Sequence, residues 1–294
     1  MNHQKVIDHI VRWMDAYAEQ AGIRGGFVIG VSGGIDSALS STLAVMTGRP
    51  TLCVTLPIHQ AASQVDRAGE HIEWLSALGE NVSSVNVDLT GAYQSFVESF
   101  ATAAGSAVTR AAKAAGVGSI KTARAAARSK CGEAISSREL ALACANTRSR
   151  LRMTALYHLA GLRQALVVGT GNKIEDYAIG FFTKYGDGGV DLSPIADLTK
   201  SEVYALAAEL GICRSICLAP PTDGLFGDNR TDEDQIGASY PELEWAMEQT
   251  ERGVRPEDCD GHQREVMEIY LQRNRANRHK MEPIPVCHIP DGLR

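Results

Sequence analysis

The feature that most limits what this chain can fold into is a short apolar run that ends in a glycine turn. Residues 27–31 read Phe-Val-Ile-Gly-Val, and Ser32-Gly33-Gly34-Ile35-Asp36-Ser37 follows at once. A run this short, rich in β-branched residues, reads as a buried strand. The two glycines let the backbone turn sharply, and Ala38 to Met46 continues as a helix. Backbone N–H groups converge at such a junction and the helix dipole adds positive potential, so Gly30, Val31 and the six residues after them form an anion site. The Ser32 and Ser37 hydroxyls add donors. Asp36 is out of place in an anion site unless a cation sits there too, and a carboxylate beside a polyphosphate is a usual way to hold Mg²⁺. A lone Ser-Gly-Gly would equally suit a corner with an N-cap. Six such residues after a strand favour a pyrophosphate cradle. The stretch is neither the lysine-bearing P-loop nor the G-x-G-x-x-G dinucleotide loop.

The strand–helix alternation repeats. An amphipathic helix precedes the first strand, with Val6, Ile7, Ile10, Val11, Met14 and Ala18 on one face and an end near Gly22. Residues 52–56 are strand-like and Pro57 stops them. Residues 63–78 read as a helix with Val65, Ala68, Ile72, Leu75 and Leu78 on one face. Residues 82–87 make a third strand, 89–104 a helix, 138–162 a long helix and 165–169 a further strand. This order predicts an α/β fold: a doubly wound, mostly parallel sheet with helices on both faces. The 294 residues, 44% of them hydrophobic, suit a single such domain.

A net charge of −6 argues against a protein that wraps nucleic acid. Residues 101–130 are alanine-rich and carry Arg110, Lys113, Lys121, Arg124, Arg128 and Lys130, but lack aromatics to stack bases, so a solvated helical excursion is the expectation. The seven cysteines are scattered without a C-x-x-C, which suits reduced thiols in a cytoplasmic protein. The chain lacks a membrane-length apolar run, and its polar start is unlike a signal peptide. The stretch 218–236, rich in Pro, Gly, Asp and Asn, is long for a connector and reads as a lid. The last helix, about 262–278, ends in a basic cluster, which also suits its dipole.

The middle of the chain is the most specific. Gly169-Thr170-Gly171-Asn172-Lys173-Ile174-Glu175 follows a strand, and residues 180–191 read Gly-Phe-Phe-Thr-Lys-Tyr-Gly-Asp-Gly-Gly-Val-Asp. The Ser32–Ser37 run resembles the signature of the N-type ATP pyrophosphatases, of adenine nucleotide alpha hydrolase-like fold. The twelve residues from Gly180 resemble the NAD synthetase signature within that superfamily. Arg148 to Met153, Leu198-Thr199-Lys200, Pro221-Thr222-Asp223 and His279-Lys280 lie in register with it, so the resemblance spans roughly residues 5 to 282. One residue more than the usual pattern precedes Gly180.

The resemblance implies that ATP and ammonia amidate deamido-NAD to NAD through an adenylated intermediate, releasing AMP and pyrophosphate. It implies ATP binding by Gly30, Val31, Ser32, Gly33, Gly34, Ile35, Asp36, Ser37, Thr170, Lys200, Thr222, His279 and Lys280. Arg150, Lys184 and Asp191 match deamido-NAD positions. Asp36 and Glu175, or the adjoining Asp176, match Mg²⁺ ligands. Asp187 is the candidate to take a proton from ammonium. A glutamine-using member would need an added amidase domain, for which no room precedes Val28, so free ammonia or a separate supplier is expected. A homodimer is carried over as well. A thiolating enzyme of the superfamily would place a cysteine in these motifs, and none is there. A binding protein without turnover would be expected to have lost Asp36 or Glu175, and both are present.

Overall fold

The computed structural model describes residues 1–103, 137–222, 224–225 and 231–294. Four short strands form one parallel sheet in the order β3-β2-β1-β4. They are β1 (Phe27–Gly30), β2 (Thr51–Thr55), β3 (Val82–Asn86) and β4 (Leu166–Val168). Phe27 pairs with Thr51 on one side and Leu166 on the other, and Val168 makes a further parallel bridge to Leu192. β1 is central, which is why its residues are apolar throughout rather than alternating.

Alternate residues of each strand face opposite layers. Phe27, Ile29, Cys53, Leu166 and Val168 point to one side. There they meet α1 (His3–Gln20), α2 (Ile35–Met46), α3 (Ala62–Leu78) and α6 (Lys200–Glu209). Val28, Leu52, Val54 and Val167 point to the other, against Leu156, Leu159 and Ala160 of α5 (Ser137–Arg163). α4 (Thr90–Ala103) buries Tyr93 beside Ile58 and Cys144 on α5. Each fully buried aliphatic of these layers contributes about 1.5–3 kcal/mol of transfer free energy. The expected two-faced α/β sheet is therefore the observed one.

α1 buries Ile7, Ile10, Met14 and Ala18, and the Asn2 side chain caps it by accepting from the Lys5 N–H. The chain then turns through Gly26 at φ +75°, where a Cβ would lie 1.9 Å from the Pro50 carbonyl oxygen. α3 departs from the expected face at its end. Ala68 and Leu75 are buried, but Leu78 is 52% exposed, because α3 stops there and Gly79 carries the chain away.

A second apolar cluster lies beyond the sheet. It joins a π-helical turn, Lys173–Ala178, to α8 (Asp232–Ile236), α9 (Tyr240–Glu251) and α10 (Gly261–Met281); α7 (Arg214–Cys217) packs instead on the main core. Ile174, Ala178 and Ile179 bury themselves against Leu243, Ala246, Val266, Met267 and Tyr270. A π turn holds more residues than an α turn. Residues 104–130 of the basic excursion, Asp223, and 226–230 of the expected lid lie outside the described residues. No helix among the described residues is long and apolar enough to cross a membrane.

Candidate active site

The sequence places a glycine turn at the carboxyl end of β1, and the packing shows why it must be glycine. Gly33 has φ +81°, and a Cβ on it would lie 2.4 Å from the Gln64 carbonyl oxygen of α3. Gly34 is extended and caps α2. The two serines knit the turn together. The Ser37 hydroxyl donates to the Gly34 carbonyl at 2.9 Å, and the Ser32 N–H donates to Ser37 Oγ at 3.2 Å. The loop opens on a cavity of about 1130 Å³ at the carboxyl ends of the strands, where open α/β sheets bind ligands. That is at the upper end of ordinary small-molecule sites, so it has room for more than one nucleotide-sized group.

Asp36, on the first turn of α2, and Glu175, on the π turn after β4, come together because β1 and β4 are neighbours. They share one ammonium. Lys200 Nζ lies 2.6 Å from Asp36 Oδ2 and 2.8 Å from Glu175 Oε1, and only 3% of the lysine side chain is exposed. Asn172 donates to Asp36 Oδ1 at 3.0 Å and caps the π turn by accepting from the Ile174 and Glu175 N–H groups at 3.1 Å. The Tyr240 hydroxyl donates to Glu175 Oε1 at 2.5 Å, and the Tyr240 ring lies 4.7 Å from Lys200 Nζ. Burial pushes the Glu175 carboxyl up, but the charge of Lys200 and the hydrogen bonds from Lys200, Tyr240 and Asn172 outweigh it and hold Glu175 below its usual range. Asp36 is held above its range, by burial first and by the charge of Glu175. A pair of acids sharing one counter-ion behaves this way: one ionises early and the other late.

Of the two adjoining acids, Glu175 is the one that joins Asp36 on Lys200. Asp176 packs beneath the backbone of Gly171, where a Cβ would lie 1.8 Å from Asp176 Oδ2. Burial, with Asp187, Glu175 and Asp36 nearby, raises its carboxyl well above the usual range. The described residues hold no group of three or more His, Cys, Asp or Glu side chains fit to bind a metal by themselves. Mg²⁺, however, commonly takes one or two carboxylates and completes its shell with water and phosphate oxygens. Asp36 and Glu175, already converging on one cation beside an anion loop, fit that donor set.

Residues 180–189 wrap the far wall. Asp187 Oδ1 accepts from Ser149 Oγ at 2.6 Å and from the Thr183 N–H at 3.1 Å, and Ser149 Oγ in turn accepts from the Asp187 N–H at 2.9 Å. Gly186 makes room for this, since a Cβ there would lie 2.2 Å from Ser149 Oγ. Burial raises the Asp187 carboxyl, and Ser149 pulls it back down. Lys280 Nζ donates to the Gly180 and Phe182 carbonyls at 2.6 and 2.8 Å, and Lys184 Nζ to the His279 carbonyl at 2.5 Å, so lysines clamp this loop to the end of α10. Arg150 Nε donates to the Lys184 carbonyl at 3.2 Å and lines the cavity, as do Thr170, Thr222 and His279. Arg152, two residues on along α5, lines the cavity as well. Arg152 bonds the Leu56 carbonyl at 3.0 Å, and Arg148 lies 5.0 Å from the Tyr93 ring.

Asp191 lies away from the cavity lining. Its carboxylate accepts from the Val167 N–H at 2.7 Å and the Tyr157 hydroxyl at 3.0 Å, which ties the loop to β4. Sequence reasoning passes over Tyr240, Ser149, Asn172 and Arg67 as site residues. Asn172 and Ser149 lie inside the quoted motifs, so their position is a usable signal. Tyr240 is 65 residues from Glu175 and only packing reveals the pair.

A parallel sheet with a glycine–serine loop at its carboxyl end, opening on a cavity walled by paired acids and lysines, defines an α/β protein built to bind nucleotide phosphates. Comparison with known proteins makes this specific. The sequence profile described as NAD synthase matches residues 6–284. A protein of Syntrophomonas wolfei named NH(3)-dependent NAD(+) synthetase is 33% identical over 296 residues, covering 100% of both chains. The solved NMN synthetase of Francisella tularensis superposes with a TM-score of 0.73 at 27% identity, over 99% of each chain. The NH3-dependent NAD synthetase of Campylobacter jejuni superposes at 0.69 with 20% identity, over 98% of this chain and 100% of that one, and speaks for the fold. The chain belongs to the NAD synthase family of ligases.

Proposed function

We propose that this chain is an ammonia-dependent NAD synthetase, which amidates deamido-NAD with ATP and ammonia and releases AMP and pyrophosphate. The observation that carries the reading is the cavity that unites the Ser32–Ser37 loop with the Gly180–Gly189 wall, in a chain whose family profile runs from residue 6 to 284. A carboxylate is a poor electrophile, so its oxygen must first be made a leaving group, which adenylation does. The loop N–H groups and serines cradle the phosphates, with Thr170, Thr222, Lys200, His279 and Lys280 around the nucleotide. Asp36 and Glu175 would hold Mg²⁺, which when bound neutralises charge on the phosphates. Arg150 on α5 and Lys184 face the deamido-NAD side, and Asp191 orders the loop that carries Lys184. Asp187, buried with its carboxyl held up, accepts a proton from ammonium so that the amine can attack. A cytoplasmic homodimer is part of the proposal.

One observation favours a second reading. The Francisella structure, covered almost end to end, is named NMN synthetase, so a mononucleotide acceptor competes with the dinucleotide. Purified protein with Mg-ATP and ammonium is given deamido-NAD or nicotinic acid mononucleotide, and AMP and the amidated product are followed by chromatography. A higher kcat/KM for deamido-NAD is expected. The reverse preference transfers the assignment to the mononucleotide, and AMP release with neither substrate rejects both.

A further inference from the structure

Arg67 stands on the second turn of α3, where that helix passes against the phosphate loop. Gly33 and Arg67 are packed closely enough that a Cβ on Gly33 would lie 3.2 Å from the Arg67 Cβ. Arg67 Nε donates to the Gly33 carbonyl at 3.2 Å, and the half-buried side chain lines the same cavity as the loop. A guanidinium has five N–H donors, and this bond uses one of them.

Most other cations of the cavity are committed to protein partners, and Arg150, which also spends one donor, is tied to the far wall through the Lys184 carbonyl. Lys200 lies between Asp36 and Glu175, Lys280 spans two carbonyls, Lys184 holds the His279 carbonyl, and Arg152 bonds the Leu56 carbonyl and Gln60. Among the described residues, no acid forms an ion pair with Arg67. It is a cation fixed at Gly33 on the loop backbone with its fork uncommitted, on the cavity that Ser32 and Ser37 also line.

We propose that Arg67 is a pyrophosphate-binding residue, which grips the β- and γ-phosphates of ATP and holds pyrophosphate as it leaves. The proposal rests on the reading of the chain as an adenylating enzyme. In that step a carboxylate oxygen of the substrate bonds to the α-phosphorus. The bond from the α-phosphorus to the bridging oxygen breaks, and its electron pair stays on that oxygen, now part of pyrophosphate. Charge grows where a fork of parallel N–H donors binds it best, and a guanidinium matches phosphate oxygens in a way an ammonium does not.

The test is calorimetric and needs no nicotinate substrate. Inorganic pyrophosphate and AMP are titrated separately into the wild-type chain, Arg67→Gln and Arg67→Lys. Charged hydrogen bonds to phosphate are worth enough that Arg67→Gln is expected to weaken pyrophosphate about tenfold or more. Arg67→Lys should fall between the two, and AMP, lacking the β- and γ-phosphates, should bind all three within about twofold. Pyrophosphate affinity unchanged in Arg67→Gln overturns the proposal. Equal weakening of AMP and pyrophosphate also overturns it, since that marks a residue that only pins the loop. Because binding is read directly, a chain that failed to amidate any nicotinate substrate would still reveal whether Arg67 holds pyrophosphate.

Discussion

Lys200 is where the stability of this fold and its chemistry meet, and replacing it with methionine separates them. Methionine keeps most of the aliphatic length and removes the charge. Two buried carboxylates, Asp36 and Glu175, then lose the ammonium that lies 2.6 and 2.8 Å from them. Breaking a buried ion pair by removing one partner costs about 3–5 kcal/mol, because the remaining charge is left uncompensated. For a chain of this size that lowers Tm by on the order of 10 °C. The sign with pH follows. Without Lys200, burial and mutual repulsion raise both carboxyl groups above their unfolded values. A group raised on folding costs stability once the pH exceeds its unfolded pKa, and that cost vanishes as the pH falls below it. The deficit of Lys200→Met should therefore be largest near pH 8 and shrink toward pH 4. Urea unfolding of both proteins across that range measures it. A divalent cation can replace the lost ammonium, so Mn²⁺ without nucleotide should raise the Tm of the variant more than that of wild type. A deficit under about 1 kcal/mol at pH 8, or one independent of pH, would mean that Lys200 does not neutralise this pair.

Two further predictions concern groups away from that pair. His71 is fully buried between α3 and α2, with Nε2 2.9 Å from Ser41 Oγ, and burial lowers its pKa from 6.5 to about 4. Its neutral form is the folded one, so stability is intact above about pH 6.5 and falls by about 3 kcal/mol as the pH drops toward 4; the acid limb of the stability curve of His71→Leu, measured by denaturant unfolding, should be correspondingly flatter, and an identical limb would remove His71 from the account. Ser149→Ala removes the bond that pulls Asp187 down against its burial, so the Asp187 carboxyl should rise further and the acid limb of the ammonia-dependent rate should move to higher pH; the Asp187 N–H also loses its acceptor, at a cost of about 1–3 kcal/mol of stability. A limb that stays in place would mean that Asp187 is not the proton acceptor.

The sequence by itself determined the layers. Short runs of β-branched residues spaced by amphipathic helices can bury their surface only as a parallel sheet covered on both faces, and the strand at 27–30 and its neighbours lie where that pattern puts them. It also determined the loop, because Gly33 must take a positive φ that other residues resist, and that requirement is written in the residue type. The motif at 180–191 was legible through its resemblance to a family signature, and the structure shows what three of its glycines do: Ser149, Phe182 and Met153 pack against their bare backbone. Tertiary structure alone decided the electrostatics. Which acid of Glu175 and Asp176 meets Asp36 depends on a π turn that rotates successive side chains, and no local pattern announces that turn. Tyr240, Lys200 and Arg67 come from three different helices, and long-range packing brings each to the carboxyl ends of β1 and β4. Leu78 shows the same limit in reverse: the periodicity assigns it to the buried face, but α3 ends there and the residue stays in solvent. Local periodicity fixes which face of an element is apolar. What that face meets, and what charge it carries once water is excluded, is settled only when the elements close on one another.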